Sequence, residues 1–263
     1  MIIKAKPGVP EFECFQIENR KKDYVLLIPI INEGERIIRE LVRACRSKVY
    51  DYVDIVICDG GSDDGCTELK RLKKLHVNTL LIKRGPGKQG AQLRMGMYWA
   101  LKRGYHGIVT IDGNNKDSIE DVSRFVRKLK EGYDFVQGSR FVTGGRAIRT
   151  PFSRLIAVRM IHAPVISATA RFRFTDTTNA YRAYSTRYLK SPDVRPFREV
   201  FAGYELLAYL SVRASQLGMK VCEIPVTRAY PLNEKTPTKI KGLRGNSQLF
   251  GILIKNALGV YKP

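Results

Sequence analysis

The chain has 263 residues, 44% of them hydrophobic, and a formal net charge of +21. A chain of this length and apolar content can bury the core of one large domain, or of one domain with an appendage. The charge implies an anionic partner, such as a phosphate-bearing substrate or a membrane surface. The basic residues are interspersed with apolar helix positions, without a zinc pattern or an aromatic single-strand platform, which argues against a nucleic-acid partner.

The cysteines and the apolar segments bear on location. Five cysteines occur without a C-x-x-C pair, which predicts reduced thiols in a cytoplasmic protein. The N-terminus lacks the apolar core of a signal peptide, and no window reaches the roughly 18 apolar residues of a spanning helix. We therefore expect a cytoplasmic protein that is soluble or peripheral on the inner face of the membrane.

Strands and helices alternate through the first half of the chain. Residues 1–22 are polar and mixed and predict a short extension laid across the domain edge. Continuous apolar runs, typical of buried parallel strands, cover residues 24–31, 53–58, 77–82 and 108–111. Helices are predicted after them, over 35–47, over 67–75, through Trp99 and from Ser118 onwards. Four such alternations predict an α/β fold, with a mostly parallel sheet in a Rossmann-like nucleotide-binding half.

The second half of the chain has a different pattern. Strands are predicted over 133–138, within 174–185 and over 221–227, and a helix over 201–216. Residues 153–173 are apolar and basic and, because Pro164 interrupts them, predict two helical pieces. After a basic loop over 228–242, an amphipathic helix is predicted over 243–261. The predicted organisation is an extension (1–22), one domain (23–242) and a C-terminal helix (243–263) packed on the domain or on a membrane.

Acidic loops follow three of the predicted strands, at the edge where open α/β sheets bind ligands. They contain Asn32 and Glu33, then Asp59, and then Asp112 with Asp117, and a glycine-rich loop, KRGPGKQG, lies between the second and the third. Carboxylates gathered at one edge repel one another unless a cation or nucleotide hydroxyl groups lie among them. Three independent helix caps are the alternative explanation. No G-x-G-x-x-G or P-loop motif occurs, which argues against a dinucleotide enzyme or a P-loop NTPase.

Four segments together resemble the inverting family 2 glycosyltransferases of the GT-A fold. They are IPIINE, VICDGGSDDGC, GPGKQGAQLRMG and TIDGNNKD, in the order and spacing of that family. The resemblance implies a nucleotide-binding half and an acceptor-binding half, a UDP- or GDP-linked sugar donor, and a divalent metal, Mg²⁺ or Mn²⁺. It assigns nucleotide-sugar binding to Pro29, Asn32, Glu33, Asp59, Gly61, Gly87, Lys88, Gly90 and Gly113.

The metal-binding D-x-D motif of the family falls on Asp112-Gly113-Asn114, so Asn114 stands where the family carries its second aspartate. A neutral amide is a weaker ligand for a hard cation than a carboxylate. Either Asp117 compensates, or Asp112 and the diphosphate oxygens hold the metal, or the site has lost its function. The resemblance implies Asp112, Asn114 and Asp117 as metal ligands, with Asp112 also a catalytic residue.

The second half resembles the branch of the family that uses polyprenyl phosphates, such as the dolichol-phosphate mannose synthases. The segments QGSRF, DTTNAYRAYS and EIPVTR occur in the order of that branch. They imply that Arg140 and Arg182 act in catalysis and that Arg228 and Lys239 bind an acceptor phosphate, because guanidinium groups pair well with phosphate oxygens. Taken singly, each arginine could instead be solvated or paired with a carboxylate.

The acceptor decides whether the reaction needs a base. A lipid phosphate is already anionic, whereas a saccharide hydroxyl must lose a proton to a carboxylate. Glu205 lies where hydroxyl-acceptor members of the family carry that base, and Asp176 is the second candidate. We predict a polyprenyl-phosphate or lipid-linked acceptor. The alternatives are transfer to a saccharide hydroxyl in surface-polysaccharide synthesis and a non-catalytic scaffold that binds nucleotide sugars.

Two basic and apolar segments are candidates for contact with an anionic membrane. In residues 153–173 and 243–261, arginines and lysines could meet headgroups while leucine, isoleucine and phenylalanine enter the interface. Packing on the sheet or in a homodimer would use the same faces.

Overall fold

The computed structural model describes residues 1–232 and 242–263, and in the second range it describes side chains from Ser247 onwards. The strands are β1 (Ile2–Ile3), β2 (Phe12–Gln16), β3 (Tyr24–Ile30), β4 (Asp54–Asp59), β5 (Val77–Lys83), β6 (Gly107–Thr110), β7 (Phe135–Ser139), β8 (Arg146–Ile148), β9 (Arg182–Ser185), β10 (Val221–Pro225) and β11 (Thr227–Ala229). The α-helices are α1 (Glu35–Arg46), α2 (Leu69–Lys74), α3 (Gln89–Lys102), α4 (Val122–Lys130), α5 (Phe152–Ile156), α6 (Ala163–Ala170), α7 (Thr186–Lys190), α8 (Glu205–Gln216) and α9 (Gly242–Ala257).

A mixed sheet of nine strands organises the described residues, in the order β1-β2-β5-β4-β3-β6-β9-β7-β10. Its strands β5, β4, β3 and β6 run parallel, β9 is antiparallel to both β6 and β7, and β7 pairs with β10 in parallel. A separate two-stranded sheet pairs β8 with β11. Because β9 is antiparallel to both of its neighbours, β7 and β10 point the same way as β3 to β6. The loops that follow these six strands therefore lie at one edge of the sheet.

Helices cover both faces of this sheet, which explains why its central strands have continuous apolar sequences. All of β3 except its first residue is buried. On one face, α1 and α4 contribute Leu41 and Phe125 to the core, together with residues of α2. On the other face, α3 and α8 contribute Met97 and Leu210, together with residues of α6 and α9.

Residues 1–22 contribute strands that their polar composition did not predict. The second of them, β2, pairs antiparallel with β5 and places Phe15 opposite Leu80. Burial alternates along β2, where Phe12 and Cys14 are buried while Glu13 is not. Such a half-buried strand has only two or three inward positions, so its pattern is hidden in a mixed segment. These residues complete one edge of the sheet.

A continuous helical segment replaces the two pieces predicted within 153–173. Helix α5 runs into a π-helical stretch, Ala157–His162, and this stretch runs directly into α6. Pro164 lies in the first turn of α6, where a missing N–H is tolerated. The wider π turn before it changes the hydrogen-bond spacing at the point where the proline lacks a donor. The expected break at Pro164 is therefore wrong.

The last helix, α9, packs against α6 and α8. Ile252 and Leu253 of this helix are buried, as is Tyr261 beyond its end, while Ile254 and Leu258 are exposed. The helix is thus amphipathic, and part of its apolar surface belongs to the core. Among the described residues, no helix combines the length and the apolar character that crossing a bilayer requires.

Candidate active site

Asp112 follows β6 at the carboxyl edge of the sheet, and donors from three segments surround its carboxylate. Gln89, at the start of α3, donates from Nε2 to Asp112 Oδ1 at 2.8 Å. Arg228 of β11 donates from Nη2 to Asp112 Oδ2 at 3.2 Å, and Asn114 Nδ2 lies 3.4 Å from the same oxygen. The Asp112 side chain keeps 21% of its surface exposed, so its carboxylate is reachable from solvent.

Asn114 carries an oxygen with unused acceptor capacity. Its Oδ1 is buried and accepts no hydrogen bond within the described residues. A buried acceptor is costly unless a donor or a cation lies beside it. Together with the neighbouring Asp112 carboxylate, this oxygen forms a pair of the kind that hard cations bind. In the ranges 1–232 and 242–263, no three histidine, cysteine, aspartate or glutamate side chains group closely enough to hold a metal ion.

Asp117, predicted as a third metal ligand, is fully buried against Arg228. Arg228 Nη1 donates to Asp117 Oδ2 while its Nη2 donates to Asp112, so one guanidinium bridges both carboxylates. Burial disfavours the charge of Arg228, but Asp117 and Asp112 outweigh it and raise the pKa of the guanidinium. The donors of Arg228 thus face the carboxylates of the D-x-D loop, and its role in binding an acceptor phosphate stays a prediction.

The same loop is held by a buried glutamate that the sequence analysis missed. Asn115 has a left-handed backbone, with φ of 58°, and its N–H donates to Glu40 Oε2 at 2.7 Å. Its Oδ1 accepts from Arg43, which also forms a salt bridge with Glu120. Burial raises the pKa of Glu40 well above its ordinary value. An acidic residue within the apolar stripe of α1 was the available signal, since glutamate is almost never fully buried without a reason.

Gly113 and Gly90, predicted to contact the nucleotide sugar, permit close packing at this edge of the sheet. A Cβ on Gly113 would lie 2.4 Å from Ile30 Cγ2. A Cβ on Gly90 would lie 2.5 Å from the carbonyl oxygens of both Phe201 and Gly203. Both glycines are buried, so they let the D-x-D loop and helix α3 approach the neighbouring backbone and side chains.

The rest of the glycine-rich loop is accessible. Gly87 and Lys88 are exposed, and Gly87 has a φ of 98° that favours glycine. The Lys88 N–H donates to Ala202 O at 2.8 Å, which fixes the start of α3. Since Gln89 contacts Asp112, this loop leads from the end of β5 to the D-x-D loop.

The loops after β3 and β4 are cross-linked to each other. The Asn32 N–H donates to Ser62 Oγ at 2.9 Å, and Asn32 Oδ1 accepts from the Asp63 N–H at 3.0 Å. The buried Asp59 carboxylate accepts from the N–H groups of Gly61 and Ser62, at 2.8 and 2.9 Å. Asp59 therefore shapes this double loop from within, while Asn32 and Gly61 lie exposed on it.

Two further residues predicted to bind the nucleotide lie deeper in the fold. Pro29 is buried within β3, opposite Cys58 of β4. Glu33 is 9% exposed and forms a salt bridge with Arg36 at 2.9 Å. Both residues are buried, unlike Asn32 and Gly61, and their contacts with the nucleotide stay predictions.

Arg140 and Asp176 form a buried ion pair. Arg140 donates from Nε to Asp176 Oδ2 at 2.6 Å and from Nη2 to Oδ1 at 2.9 Å. Burial alone would raise the pKa of Asp176, but the hydrogen bonds and charge of Arg140 outweigh it and lower that pKa. In this arrangement the Asp176 carboxylate is occupied by Arg140 and closed off from solvent. The predictions of Asp176 as a base and of Arg140 as a catalytic residue stay predictions.

Arg182 holds backbone carbonyls inside the fold. Its side chain is 2% exposed. It donates to the carbonyl oxygens of Asn179, Leu207 and Thr177 at 2.9, 2.6 and 2.9 Å. The guanidinium therefore joins a loop and α8 inside the fold, and its catalytic role stays a prediction.

Glu205 begins α8 and is partly exposed. Its Oε2 accepts the Gly203 N–H at 2.6 Å, so the carboxylate closes the turn that leads into the helix. That turn also carries Ala202, which accepts the Lys88 N–H. The structure thus places Glu205 beside the glycine-rich loop, and its role as a base stays a prediction.

Basic and aromatic side chains that the sequence analysis missed adjoin Arg228. Lys116 is buried, with Nζ 5.1 Å from the ring centre of Tyr230, and Arg154 donates to the Tyr230 hydroxyl at 2.9 Å. Burial and the charge of Arg228 lower the pKa of Lys116 to about 8. Lys239, predicted to bind the acceptor phosphate, lies outside the described residues.

Comparison with known proteins identifies the family. Residues 25–193 match the model of glycosyl transferase family 2. The chain belongs to this family. The glycosyltransferase is 30% identical over 243 residues to the polyprenol monophosphomannose synthase of Mycolicibacterium smegmatis. This alignment covers 87% of this chain and 84% of that protein. The chain is also 30% identical over 207 residues to the undecaprenyl-phosphate mannosyltransferase of Micrococcus luteus, covering 76% and 81% of the two chains.

A solved structure supports the fold of this glycosyltransferase. Glucosyl-3-phosphoglycerate synthase from Mycobacterium tuberculosis, crystallised with Mn²⁺, UDP and phosphoglyceric acid, superimposes with a TM-score of 0.62 at 18% identity. The match covers 91% of this chain and 79% of that one. The predicted α/β fold of GT-A type is confirmed, and so is the predicted glycosyltransferase activity, which follows from the family and its relatives.

Proposed function

We propose that this glycosyltransferase moves a sugar, with inversion, from a UDP- or GDP-sugar to a polyprenyl phosphate. The observation that carries the proposal is that both candidate bases are engaged within the protein. Asp176 is enclosed with Arg140, and Glu205 accepts the Gly203 N–H. A phosphate acceptor is ionised already and needs no base. The relatives that make polyprenol monophosphomannose or use undecaprenyl phosphate support the same acceptor class.

We assign the donor nucleotide to the double loop after β3 and β4. Asn32 and Gly61 are exposed there and can contact the nucleoside, while Asp59 keeps the loop in shape. The donor diphosphate would lie between this loop and the start of α3, because the exposed Lys88 and the positive end of the helix dipole both attract phosphate oxygens.

A divalent cation, Mg²⁺ or Mn²⁺, fits the D-x-D loop because Asn114 Oδ1, beside the Asp112 carboxylate, accepts no hydrogen bond from the part of the chain that the structure describes. These two side chains would hold it. Such an ion stabilises negative charge on a leaving diphosphate when bound. Gln89 keeps the Asp112 carboxylate oriented, and Glu40 holds the loop behind it. The glucosyl-3-phosphoglycerate synthase crystallised with Mn²⁺ and UDP supports this assignment.

We assign the acceptor phosphate to the basic side chains next to Arg228. Lys116 and Arg154 both contact Tyr230, so their charges converge on one aromatic side chain. Ammonium and guanidinium groups are the side chains that bind phosphate oxygens. Lys239 remains a predicted member of this group.

Two apolar stripes suit a membrane surface. One runs along α5 and the π-helical stretch, and the other runs along α9, each with exposed side chains about one turn apart. The members, with their exposed fractions, are Phe152 (74%), Ile156 (43%) and Met160 (72%), and Phe250 (51%), Ile254 (43%) and Leu258 (75%). Because the chain carries a net charge of +21, we propose that it binds peripherally to the cytoplasmic face of an anionic membrane. A homodimer is the alternative occupant of these stripes.

The variant Glu205→Gln tests the acceptor class. Glutamine keeps an oxygen that can accept the Gly203 N–H, but it cannot take a proton. Transfer from the nucleotide sugar to a polyprenyl phosphate should survive in this variant and be lost in Asp112→Ala. If Glu205→Gln abolishes transfer while the protein remains folded, a hydroxyl acceptor with Glu205 as base becomes the better account.

A further inference from the structure

The Arg228 guanidinium, from β11, places a positive charge between two carboxylates at the D-x-D loop. It bridges Asp112 and Asp117, with Nη2 3.2 Å from Asp112 Oδ2, and its side chain is 8% exposed. Few other conformations are open to a side chain buried between two carboxylates. Arg228 is therefore an internal cation of this loop.

The backbone fixes Arg228 in this place. The Ser118 N–H donates to Thr227 O at 2.9 Å, and the Ala229 N–H donates to Lys116 O at 2.8 Å. The Thr227 N–H donates to Ser118 Oγ at 3.0 Å. Hydrogen bonds on both sides of Arg228 thus join β11 to residues 116–118. The guanidinium is a built part of the site rather than a surface side chain that happens to lie nearby.

Both oxygens of Asp112 already accept hydrogen bonds. Gln89 donates to Oδ1 at 2.8 Å, and Arg228 donates to Oδ2. A divalent cation on Asp112 would share these two oxygens with the Gln89 and Arg228 donors and would lie close to a fixed positive charge. At such short distances and with little water, repulsion between the two cations is strong.

We infer that Arg228 competes with the divalent metal for Asp112, so that the enzyme without donor binds metal weakly. The inference rests on the proposed metal site. A bound diphosphate adds negative charge and further oxygen ligands beside the metal, so donor binding offsets the repulsion by Arg228. Metal and nucleoside diphosphate therefore bind cooperatively, and by linkage each raises the affinity of the other by the same factor.

Mn²⁺ titrations followed by electron paramagnetic resonance test this inference without any sugar transfer. Arg228→Gln removes the competitor but leaves the buried Asp117 without its partner. The double variant Arg228→Gln/Asp117→Asn removes both charges and avoids that penalty. Arg124→Gln is the matched control, because Arg124 donates to Asp121 and to Pro225 O and does not contact Asp112. Asp112→Ala removes the proposed metal ligand, so the part of the Mn²⁺ signal that it abolishes belongs to this site.

The double variant should bind Mn²⁺ about tenfold more tightly than the wild type, a typical coupling between sites. Arg124→Gln should stay within about twofold of the wild type, and UDP or GDP should raise Mn²⁺ affinity more in the wild type than in the double variant. Unchanged or weaker Mn²⁺ binding in the folded double variant would overturn the inference. It would also be overturned if neither the wild type nor any variant bound Mn²⁺ in the presence of UDP or GDP. Failure of lipid transfer with tighter Mn²⁺ binding would refute only the proposed acceptor.

Discussion

Replacing Asn114 by aspartate should make the stability of the protein depend on a divalent cation. Asn114 Nδ2 lies 3.4 Å from Asp112 Oδ2, so the substitution exchanges a weak attraction for two like charges at a similar distance. At an effective dielectric constant of about 20, their repulsion would be about 5 kcal/mol at most. Because the Asp112 side chain is 21% exposed, solvent reduces this term, and we expect a loss of about 1–2 kcal/mol in the free energy of unfolding.

Thermal unfolding in EDTA and in Mn²⁺ measures this effect. A loss of about 1–2 kcal/mol in a chain of this size lowers Tm by roughly 2–8 °C. Mn²⁺ should restore the Tm of N114D, since the second carboxylate strengthens the metal site. The control is Asn115→Asp, which adds the same charge beside Arg43, 3.0 Å from the present amide oxygen. A Tm for N114D that equals the wild-type value in EDTA, or that fails to respond to Mn²⁺, would refute the reasoning.

Three further predictions follow from the geometry. Asp176→Asn should lower the free energy of unfolding by about 3–5 kcal/mol in urea titrations, because it leaves the buried Arg140 uncompensated, and a loss below about 1 kcal/mol would contradict this. Transfer should decline as the pH rises through about 8, where buried Lys116 loses its proton. Lys116→Arg should move this decline to higher pH, and an unchanged pH profile would exclude Lys116 as the group responsible. Met160→Asp and Ile254→Asp should each weaken co-sedimentation with anionic vesicles at unchanged Tm, since both side chains are exposed, and undiminished binding would count against the membrane face.

Elements with a local pattern were predictable from the sequence. The positions of β3, β5 and α1 were predicted to within a residue or two. Each of these elements carries its apolar pattern within its own length. The strand β2 was missed because so few of its residues face inward. The break at Pro164 was wrongly expected, because tolerance of a proline depends on where the helical turns begin.

The loops of the site were predictable, but the partners of its side chains were not. Parallel strands bring their carboxyl ends to one edge, so Asn32 and Asp112 could be placed there before any contact was known. From the sequence alone, a phosphate group is the expected partner of an arginine side chain near such loops. Arg140 pairs instead with a carboxylate 36 residues away, and Arg228 with carboxylates 111 and 116 residues away. Pairing over such separations depends on the tertiary fold.

The most direct test of the account is transfer of labelled sugar from UDP- and GDP-sugars, with Mn²⁺ present, to a polyprenyl phosphate and to the polyprenol of the same chain length. We predict label in the lipid phase for one nucleotide, only with the phosphorylated lipid, and its loss in Asp112→Ala. The neutral polyprenol should fail because its hydroxyl group must first lose a proton to a base, whereas the phosphate acceptor is already ionised. Equal labelling of the two lipids, or labelling of a saccharide with neither lipid labelled, would contradict the account.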